Sequence, residues 1–314
     1  MDSLALLFIS AVLLDALFGD PIYPFHPIRL IGHYSIGLEQ WFFQHHWTGR
    51  LAGIIHWLMV VNTALAVWWI IHLSASQLHP LLTFGWNIFI AYSLLCTHDL
   101  LAHGRRVLIV LNDLARARQQ VGQLVGRDTT QLTRAGVVRA TIESLAENFT
   151  DGILTPLWTL ALFGVPGLII VKTISSLDSM VGHRTPRYQL FGWAAARSDD
   201  VIHWLPARLS PFIIATAAVL LNEKPRSAVR TAWRDHAKLP SPNSGWSEAA
   251  VAGALQVRLV GPLRYHGQAV TLPFIGDDAW IKDLDDKHLR RALRLIAVAS
   301  GCAIVIGIAL AVIV

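Results

Sequence analysis

Charge is scarce in this chain. Only 15% of its 314 residues are Asp, Glu, Lys or Arg, against roughly a quarter in soluble domains, while 54% are hydrophobic. So few charges cannot cover a water-exposed surface of this size, and the balance points to lipid. Cysteine is nearly absent. Cys96 and Cys302 both lie inside apolar runs, which excludes a disulfide framework or a paired CxxC metal site and leaves two small hydrophobes. Also missing are GxxxxGK[ST], HExxH, GxSxG, an isolated Rossmann fingerprint and any tandem repeat of 20–50 residues. Any chemistry must rest on clusters of acids, amides and cations.

The apolar residues gather in runs near 3–18, 51–73, 80–97, 152–171, 205–221 and 292–314. Several approach the ~20 residues that a helix needs to cross a bilayer. The expected fold is therefore all-α, a polytopic helical membrane protein with re-entrant or broken helices and cytoplasmic helical segments, organised as one integral membrane domain over 1–314. Many of the twelve Trp lie near run ends (Trp47, Trp57, Trp68, Trp69, Trp86, Trp158, Trp204), which fits an interfacial belt or packing between helices. The first run is not read as a signal peptide. It has no basic leading region, carries Asp2 and Asp15, and is followed by Gly-Asp-Pro rather than a cleavage site.

The net charge of +5 does not indicate nucleic acid, because the basic residues are spread through loops beside apolar runs, where they orient a membrane protein. On that basis the polar segments 102–151, 172–204 and 222–291 are expected on the cytoplasmic side, the first with seven Lys/Arg, and residues 223–291 carry eleven. The connection SASQLHP has no Lys or Arg and is assigned to the opposite side. Asp15, Asp20, His26 and Arg29 surround a Pro-rich turn (Pro21, Pro24, Pro27) that should stop a helix at the membrane surface. An acid such as Asp15 within an apolar helix needs a partner or water. His45, His46, His56 and His72 lack zinc-like spacing.

The rest of the chain is read as serving residues 126–210. Arg139, Glu143, Glu147 and Asp151 are spaced by four, so a helix over 134–151 would align them on one face beside Asn148. A solvated face is the plainer reading of such a stripe. The first half of 102–151 is expected to be one polar helix ending near Gly122 to Gly126. The apolar run that follows is broken by GVPG at 164–167, the mark of a re-entrant hairpin or discontinuous helix. Beyond it lie Lys172, Asp178, His183, Arg184, Arg187, Tyr188, Arg197, Asp199 and Asp200, cations that can hold phosphate or carboxylate and acids that can hold a metal ion. If 152–171 and 205–221 both cross, the two clusters fall on opposite sides. The arrangement preferred here is that neither crosses fully, so that the clusters share the cytoplasmic side and form one site. Ala249 to Ala254 would allow close helix packing.

The motifs GDPIYPFHPIRLIG, GRDTTQL, RATIESLAENFTDGILTPLW, KTISSLDSMVGHRTPRY, ARSDDVIHWLPARLS and SPNSGWSEAAVAGAL together resemble the adenosylcobinamide-phosphate synthase family of cobalamin biosynthesis, in order and spacing, over about residues 12–291. The resemblance implies a multi-pass protein of a bacterial cytoplasmic (inner) membrane. It also implies an ATP-dependent carbon–nitrogen ligase joining the carboxylate of the corrinoid adenosylcobyric acid to the amine of aminopropanol or its phosphate, with Mg²⁺. Amide formation from a free carboxylate needs activation, most simply as an acyl phosphate, and hence stabilisation of several anionic oxygens. The positions matching the motifs are Glu143, Glu147, Asn148, Asp151, Lys172, Asp178 and His183 as catalytic candidates. Arg139, Arg184, Arg187, Tyr188, Arg197 and Asn243 are substrate-binding candidates, and Asp20, Asp199 and Asp200 metal candidates. The lipid bilayer is an expected partner, nucleic acid is not, and self-association is left open.

The chain departs from the family pattern where Ser175 and Ser176 replace an Asn-Thr pair, His203 replaces an Asn, and Val260 and Leu263 interrupt a Gly-Gly-Pro-Asn. Ser and His retain hydrogen-bonding capacity, so altered amine or corrinoid preference is compatible with activity. Two competing readings are a polar-solute transporter built on Asp15 and the broken run, and a divergent non-catalytic membrane paralogue. Transport predicts flux without product; retention of the acids argues against the paralogue.

Overall fold

A computed structural model of the chain describes residues 3–20, 23–265 and 268–314. Asp2 and Pro21 lie outside these residues, as does the side chain of Leu263. The helices are α1 (Ser3–Phe18), α2 (Pro27–Gln44), α3 (Arg50–Leu78), α4 (Pro80–Leu94), α5 (Thr97–Val110), α6 (Leu114–Val121), α7 (Arg134–Asn148), α8 (Thr155–Val181), α9 (Trp193–Ile202), α10 (Trp204–Leu220), α11 (Pro225–Asp235), α12 (Ser244–Leu255) and α13 (Asp286–Ile313). A π-helical turn, Phe149–Leu154, joins α7 to α8.

By length and composition, four helical stretches among the described residues suffice to cross a bilayer: Arg50–Leu78, Pro80–Val110, Arg134–Val181 and Asp286–Ile313. The consecutive helices α9 and α10 together pass the same test as a broken span or a re-entrant loop. Only 22% of the most apolar window of α3 is buried within the protein, and Trp69, Ile70, Leu78 and Ile109 are exposed. Lipid is the solvent that such surface fits. The protein is a polytopic all-α membrane protein.

The GVPG break is a kink inside α8. Gly164 has φ 63° and ψ −160°, a region that essentially only glycine adopts. Pro166 then supplies no amide hydrogen, as the start of a helical segment tolerates. The helix resumes and runs to Val181, so Lys172, Ser175, Ser176 and Asp178 stand on a helix. Two local expectations are corrected. Segment 102–121 is two helices, because the Asp113 side chain caps α6 by accepting the Arg116 amide at 3.2 Å. The connection SASQLHP is mostly the last turn of α3, where the Ser74 and Ser76 hydroxyls donate back to the carbonyls of Ile70 and Leu73.

The chain divides into two compact units. The first comprises Met1–Cys96, Thr155–Ile202 and Val305–Val314. Its helices α2, α3, α8 and α9 close over Phe42, Val60, Ile174, Leu177, Val181 and Phe191. The second comprises Thr97–Leu154 and His203–Ile304. There α12 is buried at every position. Its small residues permit this: a Cβ on Gly253 would strike the backbone of Ser227 and Ala228 on α11. Strands β1 (Leu259–Tyr265) and β2 (Gln268–Ile275) form an antiparallel hairpin in the same unit, the only sheet among the described residues. A bulge between Val260 and Pro262 holds the proline where the ladder needs no donor.

Candidate functional site

In the second unit α7 delivers four of the sequence candidates, Arg139, Glu143, Glu147 and Asn148. Glu143 is buried: its Oε2 accepts from Arg127 Nη2 at 2.7 Å and its Oε1 from the Val260 amide at 2.7 Å. One carboxylate therefore ties the 126–133 loop and the β1 bulge to α7. Val260 takes φ 63° there, unusual for a β-branched residue. Glu147, one turn on, is exposed. Asn148 donates to the Ser144 carbonyl at 2.9 Å. Asp151, in the π-helical turn, lies 3.5 Å from Nδ1 of the buried His203.

Opposite stands Glu248 on α12, 5% exposed. Burial pushes its carboxyl well above the ordinary glutamate range; Glu147, Glu143 and Asp151 push the same way against the opposing charge of Arg127. Four carboxylates thus share one electrostatic environment, which favours a proton or a cationic ligand among them. Asn243, buried just before α12, brings its Oδ1 to 3.5 Å from Arg208 Nη1. Arg139 faces another way, donating to the Lys282 carbonyl with its guanidinium over the Phe274 ring.

The first unit holds the other candidates. Asp20, His26, Arg29, Ser93, Cys96, Lys172 and Ser176 line a cavity of about 280 Å³. His26 caps α2 through Nδ1, which accepts the Ile28 amide at 3.3 Å, while its Nε2 lies 2.7 Å from Asp20. Lys172 and Ser176 are one turn apart on α8 and share a face. Asp199 accepts the Ser175 hydroxyl at 2.9 Å, and Asp200 pairs with Arg197 at 3.2 Å. Asp178 is half-buried near the end of α8, its carbonyl accepting the Gly182 amide at 2.8 Å. His183 and Arg184 are exposed in the following loop. Arg187 and Tyr188 both donate to Glu39 on α2, at 2.9 Å each, and the Arg187 guanidinium lies over Phe43. Among the described residues no three His, Cys, Asp or Glu side chains converge as a ready-made metal cage.

Arg127, Glu248 and Glu39 escape sequence reasoning. Arg127 and Glu248 stand within GRDTTQL and SPNSGWSEAAVAGAL, but only folding shows that they face α7. A glutamate in an otherwise small and apolar helix is the one signal that marks Glu248.

The model of the family described as CobD/Cbib protein matches residues 8–296. A curated relative, the cobalamin biosynthesis protein CobD of Klebsiella pneumoniae subsp. pneumoniae, is 39% identical over 306 residues, covering 95% of this chain and 94% of the relative. The cobalamin biosynthesis protein CbiB of Salmonella choleraesuis is 39% identical over 307 residues, 95% of each. CobD of Yersinia enterocolitica is 38% identical over 303 residues, 94% of each. No solved structure matches. With the family model matching residues 8–296 and curated relatives 38–39% identical over 94–95% of its length, this protein belongs to the CobD/CbiB family.

Proposed function

We propose that the chain acts in cobalamin biosynthesis as an ATP-dependent amide ligase of the cytoplasmic membrane, joining adenosylcobyric acid to aminopropanol or its phosphate. Family membership supports the pathway. The observation that carries the chemistry is the Glu248 carboxyl, buried beside Glu147 and Asp151 and held above the usual range. A carboxyl whose proton affinity is raised in this way is suited to take the proton that the attacking ammonium must lose. Glu143 has both oxygens committed, so its part is to position the Arg127 loop and the hairpin, and Glu147, Asp151 and Glu248 are the carboxylates proposed to act on reactants.

ATP supplies the activation of the carboxylate, with phosphate released as the amide bond forms. Mg²⁺ typically takes one or two carboxylates together with substrate phosphates. Asp20, Asp199 and Asp200 fit that modest demand, each in reach of solvent although already hydrogen-bonded or ion-paired. The cations Lys172, Arg184 and Arg197 then suit anionic substrate groups.

The test is complementation of a bacterial strain lacking its own synthase, scored as cobalamin-dependent growth on adenosylcobyric acid with and without aminopropanol phosphate. Growth should appear with the wild type and disappear with Glu147→Ala or Asp178→Ala while the variant protein stays abundant in the membrane. Near-normal growth of both variants would remove the site assignment. No growth with the wild type would remove the ligase. Solute uptake without covalent product would favour transport instead.

A further inference from the structure

The cavity of the first unit carries uncompensated positive charge. Lys172 is half-buried, and its one polar contact among the described residues is the Cys96 sulfur at 3.8 Å. Arg29, at the entrance of α2, makes no ion pair among the described residues. Two cations line one small space while the single carboxylate lining it, Asp20, is engaged with His26 at 2.7 Å. An ammonium part-way into an apolar helix is costly unless it meets water or an anion. The arrangement suits an anion.

We propose that this cavity is a phosphate subsite for a short phosphomonoester, with Lys172 and Arg29 donating to the phosphate oxygens. Arg29 offers a planar fork suited to two oxygens and Lys172 a point charge. The volume of about 280 Å³ falls below the ~300–1,000 Å³ of pockets for drug-sized ligands. It can take a phosphate with a short chain and cannot enclose a corrinoid or a whole nucleotide. Asp20 and His26 line the same cavity, so a ligand with a cationic far end would meet a carboxylate and an imidazole. This assignment deepens the ligase reading and rests on it for the part the bound phosphomonoester plays.

The experiment is calorimetric titration of the full chain, purified in detergent, with inorganic phosphate, O-phosphoethanolamine, ethanolamine and a non-hydrolysable ATP analogue. Phosphate and O-phosphoethanolamine should bind and ethanolamine should not. Lys172→Gln and Arg29→Gln should each weaken binding at least tenfold, and Lys172→Arg should retain most of it. A second readout avoids substitution altogether: O-phosphoethanolamine should slow maleimide labelling of Cys96 at least fivefold, read by mass spectrometry against Cys302 in the same sample. Equal affinity in wild type and both Gln variants, or unchanged Cys96 labelling, would overturn the subsite. A nucleotide analogue that binds more tightly than O-phosphoethanolamine, and loses affinity in the same variants, would overturn the short phosphomonoester as occupant. If the wild type complements the deficient strain but shows no phosphate binding, the subsite fails and the ligase stands. Binding without complementation has the opposite meaning.

Discussion

Replacing Glu143 by alanine removes a carboxylate on which two distant segments depend. The Arg127 and Glu143 side chains are 7% and 10% exposed and meet at 2.7 Å. Breaking such a buried pair from one side costs about 3–5 kcal/mol, because the remaining charge stays buried without its partner. The Val260 amide, 2.7 Å from the other oxygen, is stranded as well, a loss of about 1–3 kcal/mol by itself. The two losses share one side chain and do not simply add, so the expected destabilisation of Glu143→Ala is about 3–5 kcal/mol. The double variant Arg127→Met/Glu143→Leu removes both charges of the pair and should recover about 2 kcal/mol of that loss. Equilibrium unfolding in mixed detergent micelles measures both, with membrane abundance as a check. Glu147→Ala, at an exposed position, should unfold like the wild type while losing product. A Glu143→Ala protein within about 1 kcal/mol of wild type would refute the reasoning, since the pair would then behave as a solvated surface contact. A double variant less stable than Glu143→Ala would refute it equally.

Two further outcomes concern pH. Burial alone would raise the Asp235 carboxyl, but the Arg234 guanidinium, the Gly276 amide and Lys238 overcome it and hold it down at about 2, against an ordinary 3.8. A depressed acid contributes stability above its unfolded value and loses it as pH falls through the folded one. Asp235→Asn should therefore cost about 2 kcal/mol at neutral pH, and the gap between variant and wild type should close between pH 4 and pH 2; a gap independent of pH would contradict this. Glu248 has the opposite sign, its folded value raised by burial and by Glu147, Glu143 and Asp151 against Arg127. Its neutral form is favoured by folding, so the wild type should lose stability relative to Glu248→Gln as pH rises above the ordinary glutamate value of 4.5, read by thermal unfolding at each pH. Parallel curves would show that Glu248 stays ionised.

The membrane segments were legible in the sequence because partition into lipid depends on local hydropathy summed over about 20 residues. The helix through Glu143 and Glu147 was legible for a similar reason, since a four-residue spacing states its own face. The kink at Gly164 was marked by a glycine, which alone accepts that backbone region, followed by a proline that cannot donate to the helix ladder. Other features required the chain to fold. Arg127 and Val260 reach one carboxylate from 16 residues before and 117 residues after it. The hairpin was missed because its short strands sit within a polar stretch, where turn chemistry alone does not declare a ladder.

The sequence by itself determined the membrane class, the family and the motifs that carry its acids and cations, because each of these is written in residues that lie near one another along the chain. Only the tertiary structure decided which charges are spent on each other and which are left for a ligand. It commits Glu143 to Arg127, and Arg187 to Glu39, while Lys172 and Arg29 face a shared cavity. The physical reason is that Coulomb energy and desolvation depend on distance and burial, and neither can be read from spacing between segments that meet only when folded.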